Sequence, residues 1–332
     1  MRRRASVVRA CAAVAGVLLP AWAHGAAPPD PAGQAAGEPP AAFTRPLTLQ
    51  QDPYESIYLP PGPPREEEGV NSGGVNFSLR VSYLTDYVYR GVDQSERLAA
   101  LNEAGVLVPN ADVGAEDAPN LQFDGSLELN LGRLPHPVAG VFANVFNDDP
   151  ISRFQEIRPY FGIDWDLRPL RIGAGQISYI FPEREDLNTN EIWASITFDD
   201  SKLWRIERPL LAPYIYGAYD YDLYDGFYLE AGVKHQFELE DTGIMVTAIA
   251  DVAYVIDNAQ FTDLTSPEPE ETGFQHYDVG LIGTLSLNRA LGIQRRYGQW
   301  TLEGSLYYTD GINSGLRADT QVWGGVTVGF KY

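Results

Sequence analysis

The sequence predicts an all-β fold: a transmembrane antiparallel up-and-down β-barrel of about 12 strands, preceded by a disordered Pro-rich tether. Three observations lead there. Period-two alternation runs on for longer than in ordinary strands, the connections alternate between long and short, and the final strand ends on an aromatic residue. The first run starts at Val75. Val75, Phe77, Leu79, Val81, Tyr83, Tyr87 and Tyr89 alternate with Asn76, Ser78, Arg80, Ser82, Asp86 and Arg90, well beyond the globular strand of about 5–6 residues. In the second run Leu121, Phe123, Leu127, Leu129 and Leu131 oppose Asn120, Gln122, Asp124, Ser126, Glu128 and Asn130. In a third, Phe227, Leu229, Ala231, Val233, Phe237 and Leu239 oppose Tyr228, Glu230, Lys234, Gln236 and Glu238. One apolar face and one polar, partly charged face suit a barrel wall between lipid and an aqueous interior.

The same pattern places strands at 75–90, 119–132, 138–147, 155–167, 170–181, 190–199, 211–221, 226–239, 244–256, 274–288, 298–309 and 319–332. In the last of them Val326, Val328, Phe330 and Tyr332 point outward, and Gln321, Thr327 and Lys331 inward. This strand is expected to close the wall beside Val75 and to be the segment read by the barrel-assembly machinery. Connections on one side (91–118, 148–154, 182–189, 222–225, 257–273, 310–318) are mostly long and acidic. Those on the other (133–137, 168–169, 200–210, 240–243, 289–297) are mostly short and carry Arg133, Arg168, Lys202, Arg205, Arg208, Arg289, Arg295 and Arg296. Long outer loops and short inner turns are the asymmetry of outer-membrane barrels.

The segment ahead of the strands predicts the compartment. Met1-Arg2-Arg3-Arg4, the apolar stretch Ala10 to Leu19 and Ala21-Trp22-Ala23 read as a signal peptide over 1–23, with cleavage a few residues later, up to Ala27, as the alternative. The apolar stretch is too short to cross ~30 Å of bilayer as a helix. Residues 24–73, with Pro-Pro pairs at 28–29, 39–40, 60–61 and 63–64, cannot bury a core and are expected to form a flexible periplasmic tether. The barrel occupies 74–332, and the predicted location is the bacterial outer membrane. With 45 Asp plus Glu against 24 Lys plus Arg, nucleic acid is not an expected partner. Cys11 is the only cysteine and lies in the signal segment. A mature chain without it has no disulfide, thiolate nucleophile or cysteine metal site.

Four stretches are similar to the TorF-like family of bacterial outer-membrane porins. They are Tyr83-Leu84-Thr85-Asp86-Tyr87-Val88-Tyr89-Arg90-Gly91-Val92-Asp93-Gln94-Ser95, Ala143 to Asp148, Pro182 to Trp193 with Asp186-Leu187-Asn188-Thr189-Asn190-Glu191, and Gly226 to Gly232. The resemblance spans most of 75–332 and implies a channel-forming role. The long acidic loop at 91–118 and the Pro-rich tether depart from it and leave any shared substrate open.

By parity the inward face carries Arg80, Arg90, Arg158, Arg171 and Lys234 against Asp124, Glu128, Glu156, Asp164, Glu230, Asp251 and Glu303. These would line an aqueous, modestly cation-favouring channel; alternatively they would salt-bridge and fill a closed lumen. His136 sits in an inner turn, His235 falls on the apolar face, and His276 points inward near Asp278. A solvated lumen histidine is the simpler reading of His276. A barrel hydrolase would pair it with an inward serine such as Ser78, Ser82, Ser126 or Ser305. Tyr214, Tyr216, Tyr219, Tyr221 and Tyr224, with Phe227 and Tyr228, suggest an interfacial girdle, or more sharply a sugar-binding slide. No phosphate loop, His-x-x-x-His pair or Gly-x-Ser-x-Gly elbow is present, so no catalytic residue, metal site or cofactor is expected. The leading expectation is passive diffusion of small hydrophilic solutes, with outer-membrane lipid as the surrounding partner. A closed structural or surface-interaction barrel comes second and a barrel hydrolase third.

Overall fold

A computed structural model of the chain describes residues 74–94, 119–146, 155–167, 169–182, 185–206, 209–239, 242–264 and 266–332. The predicted signal segment, the tether and most of the 91–118 loop lie outside the described residues. In chain order the strands are β1 (Val75–Leu84), β2 (Val88–Tyr89), β3 (Val92–Asp93), β4 (Asn120–Leu129), β5 (His136–Phe146), β6 (Glu156–Leu167) and β7 (Leu170–Tyr179). They continue with β8 (Thr189–Phe198), β9 (Tyr214–Asp220), β10 (Gly226–Leu239), β11 (Ile244–Ile256), β12 (Gly273–Ser286), β13 (Gln299–Gly311) and β14 (Gln321–Lys331). All but β2 and β3 form one closed barrel of 12 strands in which sequence neighbours pair antiparallel and β14 returns to β1. The chain is thus the up-and-down barrel its alternation predicts.

Closure is local and specific. Seven registered pairs run from Ser78–Lys331 to Leu84–Gly325. Beyond them Phe77 N–H donates to Tyr332 O at 2.7 Å and Tyr332 N–H to Phe77 O at 2.8 Å. Phe330 packs on Phe77, Trp300 and Tyr332, with ring centroids 6.1, 4.5 and 6.4 Å away. The terminal apolar-aromatic alternation therefore covers the seam from outside.

The wall is sharply two-faced. Its outward positions, such as Leu127, Phe161, Ile192, Ile215, Leu281, Leu306 and Val322, are exposed, with Ile215 at 61% and Val322 at 64%. Among the described outward positions of the wall strands there is no Lys, Arg or Glu, and the single Asp is Asp310 near the end of β13. Aromatics gather toward both rims: Trp165, Trp300 and Phe330 at the end that holds Val75 and Tyr332, and the Tyr219–Phe227, Tyr254–Phe274 and Tyr277–Tyr308 pairs at the other. No described helix is long and apolar enough to cross a membrane.

The predicted strand positions agree with the structure except at a few places. The first strand stops at Leu84 rather than 90, because the chain from Asp86 leaves the wall and turns into the barrel. Leu131 lies past the end of β4. His136 is not in a turn but is the first residue of β5, buried with Nδ1 3.0 Å from Glu128 Oε1. Two of the inner connections hold short helices, Ser201–Trp204 and Leu287–Leu291, that alternation cannot reveal.

Asp200 organises the first of these. Its carboxylate accepts N–H groups of Leu210 at 2.8 Å and Leu211 at 3.0 Å, and the Trp204 indole N–H at 3.0 Å. Partial desolvation pushes the carboxyl up. The Leu211, Leu210 and Ala212 amides and the indole outweigh it and hold the group below the ordinary carboxylate range. A depressed folded value means that the stabilisation is complete above the unfolded value and lost as pH falls through the folded one. Protection of the Leu210 and Leu211 amides relative to their intrinsic exchange is therefore expected to fall only below the ordinary Asp value of about 3.9. Asp200→Asn should exchange faster at neutral pH and lose that acid step, as read by hydrogen–deuterium exchange. For the barrel itself, unboiled protein should migrate differently from boiled protein on a denaturing gel. Deleting residues 330–332 should sharply reduce the folded band.

Candidate functional site

The barrel interior is occupied. Register partners Val88–Asp93 and Tyr89–Val92 make β2–β3 a minimal hairpin whose two-residue turn is Arg90 (φ 51°) and Gly91 (φ 74°). Positive φ at both positions is the type I′ geometry that best matches strand twist, and Gly91 supplies it without strain. The hairpin crosses the lumen. On one side Tyr87, Tyr89 and Val92 pack with Val138, Tyr160, Ile177, Tyr179, Trp193, Tyr216 and Tyr228. On the other, Val88 packs with Ile249, Ile282, Tyr307 and Trp323. Phe261 and Leu316, from the loops at the end away from Tyr332, add to the first cluster. Tyr87 and Tyr89, which parity had placed on the outer face, point inward because they belong to this hairpin and not to the wall.

Two buried ion pairs hold it. Arg90, 0% exposed, binds Glu191 of β8 in bidentate fashion at 2.6 and 2.8 Å. Tyr179 donates to the same carboxylate at 2.7 Å, and the Arg90 guanidinium lies 4.4 Å from the Tyr228 ring centroid. Arg158 and Glu156, neighbours on the inner face of β6, pair at 2.6 and 2.9 Å. Tyr87 donates to Glu156 at 2.5 Å and also accepts a short bond from Arg158. The hairpin thereby adds hydrogen bonds to charges that the wall alone would leave less satisfied.

The remaining predicted lumen charges also point inward, mostly in pairs. Arg80 donates to Glu303 at 2.7 Å, and Arg171 holds Asp164 through a bond from Nε at 2.8 Å. Glu128 meets His136, and Asp124 accepts from Tyr160 at 3.0 Å. Glu230 accepts from Tyr214 at 2.7 Å and Tyr228 at 2.9 Å, and Lys234 Nζ lies 4.1 Å from the Tyr214 ring centroid. Asn76, Ser78, Asp166, Gln236 and Glu238 are half-buried, so the part of the lumen toward Val75 and Tyr332 is polar and opens away from the hairpin.

The tyrosine cluster divides between the faces. Tyr219 and Phe227 stack outside with centroids 4.5 Å apart, while Tyr214, Tyr216 and Tyr228 are buried inside. Buried rings cannot offer a sugar slide. His276 is fully buried against Tyr228 and Asp278. Its cross-strand partner Gly311 is six residues along β13 from Ser305, about 20 Å. Ser82 accepts from Thr327 at 2.8 Å. Among the described residues, Asp251, His276 and Asp278 are the group whose donor atoms lie close enough together to hold a metal ion.

The sequence reading missed Glu191, Tyr179 and Trp193 as lumen residues and the hairpin as a distinct element. Parity on the predicted 190–199 strand places Glu191 and Trp193 inward, so that signal was available. The Arg90-Gly91 step flanked by alternating apolar residues was the available sign of the hairpin. Arg90→Met should leave the Glu191 carboxylate buried without its cation and cost roughly 3–5 kcal/mol. The double variant Arg90→Met/Glu191→Leu should recover most of that loss in thermal unfolding followed in detergent.

No family model matches the chain, and no curated protein matches it; the TorF-like resemblance therefore rests on its four stretches. Among solved structures, an outer membrane channel from Pseudomonas putida F1 aligns with a TM-score of 0.43 at 8% identity, covering 81% of this chain and 99% of that one. A bacterial polysaccharide outer membrane secretin aligns with a TM-score of 0.35 at 9% identity, covering 77% and 98% respectively. At these values neither bears on function, and the fold rests on the strand pairing itself.

Proposed function

We propose that this chain is an outer-membrane barrel of the channel type, held closed by the β2–β3 hairpin and passing small hydrophilic solutes or ions when that hairpin yields. The membrane part rests on the apolar, exposed outer wall, whose only charge among the described outward strand positions is Asp310 near a strand end. Soluble proteins rarely expose contiguous apolar patches beyond a few hundred Å², and a closed barrel is one of the two folds that can span lipid. The arginine-led N-terminal segment and the acidic loops opposite basic turns favour a bacterial outer membrane, with Val75 and Tyr332 at the periplasmic rim.

The observation that carries the channel part is the division of the interior. A polar, charge-bearing wall continues behind a separate hairpin that is attached through side chains and is no part of the wall. Carboxylates outnumber cations among the inward charges, which favours cation passage once the lumen is open. The apolar packing of Tyr87, Tyr89 and Val92 favours a second reading, a permanently filled barrel with a structural role.

Register separates the two. Leu84 of β1 is the direct partner of Asn120 of β4, so replacing residues 85–119 with a short Asn-Gly turn removes the hairpin and leaves the wall strands paired. In planar bilayers the native chain should give small or rare steps, and the shortened chain larger ohmic ones. A shortened chain that shows heat-modifiable migration, inserts, and conducts no better than the native one would sink the channel reading.

A further inference from the structure

Beneath the hairpin turn, one feature of the wall is irregular. Asp251 of β11 and Asp278 of β12 are direct cross-strand partners on the inner face. Just beyond them the register shifts between the Val252–Tyr277 and Tyr254–Phe274 pairs. Ala253 there faces two residues, Gln275 and His276. A bulge of this kind re-aims side chains, and here both Gln275 and His276 turn inward to 0% exposure. One donor atom from each of Asp251, His276 and Asp278 then lies within 4.8 Å of the other two, with His276 Nε2 3.2 Å from Asp278 Oδ2.

Two observations beside this geometry point to a cation-binding site. Asp251 and Asp278 are 7% and 1% exposed, yet Oδ1 of each is buried without a hydrogen-bond partner. A buried carboxylate oxygen that has lost its water and gained no donor is costly. The local charge is also unbalanced. Glu230 is linked to Asp251 through Tyr214, whose hydroxyl reaches Asp251 Oδ2 at 3.4 Å. These three acids share one neighbouring cation, Lys234, which also lies over the Tyr214 ring, while Arg90 is committed to both oxygens of Glu191.

We propose that Asp251, His276 and Asp278 bind one divalent transition-metal ion, and that the hairpin turn closes over it. One imidazole nitrogen and two carboxylate oxygens are a donor set suited to zinc or manganese. Bond lengths near 2.1 Å place tetrahedral donors about 3.4 Å apart. The His276–Asp278 spacing already meets that, and a modest side-chain rotation brings in Asp251, with water in the fourth position. The lid is the hairpin: a Cβ built on Gly91 would fall 2.4 Å from His276 Cγ, so the turn rests on the imidazole. Gln275 Nε2 fastens it by donating to Arg90 O at 2.9 Å and Arg317 O at 2.8 Å. Ion occupancy and seating of the hairpin are therefore linked. The site requires only the folded barrel and stands whether or not the lumen conducts.

The test uses the tag-free, full-length chain folded in detergent, stripped with chelator and titrated with Zn²⁺ alone by calorimetry, with metal content measured after dialysis. The expected result is one zinc per chain and a melting temperature that rises on saturation. Affinity should fall by roughly 100-fold or more in Asp251→Asn/Asp278→Asn and in His276→Gln. Co²⁺ in place of zinc should give ligand-field absorption that His276→Gln alters. Heat-modifiable migration identifies folded variants, and the Asn pair, which removes both carboxylates of the site, should fold at least as well as the native chain in chelator. The proposal is overturned if the native chain takes up no more zinc than the Asn pair, or if His276→Gln leaves the affinity unchanged. It is also overturned if the Asn pair melts above a native chain whose melting does not respond to zinc, since the acids then simply carry protons.

Discussion

The backbone bonds between Phe77 and Tyr332 look minor, yet the rest of the structure depends on what they complete. A sheet edge left open in lipid exposes a row of unpaired N–H and C=O groups with no water to satisfy them. Joining β14 to β1 removes that edge. Once the wall is closed, each strand has one apolar face turned outward and one face toward an enclosed space. The period-two alternation of the sequence is the chemical consequence of that partition.

Enclosure sets the terms inside. Charges on the inner face have lost most of their water, so they persist only where partners surround them. This is why Arg158 shares Glu156 with Tyr87, why Arg90 takes both oxygens of Glu191, and why tyrosine hydroxyls recur as donors to lumen carboxylates. The hairpin belongs to the same economy. Its apolar side chains bridge two clusters on opposite walls, and its arginine neutralises a carboxylate that β8 alone would leave exposed to an apolar interior. Beneath it, Oδ1 of Asp251 and Oδ1 of Asp278 are buried without a hydrogen-bond donor, which makes the bulge at Gln275–His276 a chemical feature and more than a ladder defect.

Strand positions, their inward and outward faces and the identity of the closing strand were legible in the sequence. Each follows from a two-residue period that holds for every residue of a strand whose two faces meet unlike surroundings. His235 on the outer face and His276 on the inner one follow from the same parity. Parity stops predicting the face where the chain leaves the wall after Leu84 while keeping the period. Tyr87 and Tyr89 still alternate with the residues before them, because a hairpin is built from strands too. Alternation is local and carries no information about whether its partner is the wall or the other arm of a turn.

By itself, then, the sequence determined the barrel: the number of strands, their alternation and where the circle joins, since these depend on nearest neighbours and on the solvent each face meets. Only the tertiary structure decided what fills the lumen. Arg90 and Glu191 are 101 residues apart, and Tyr87 and Glu156 are 69 apart; no periodicity links such positions. The meeting of Asp251, Asp278 and His276 depends on register and on one bulge, which exist only when β11 and β12 are laid side by side.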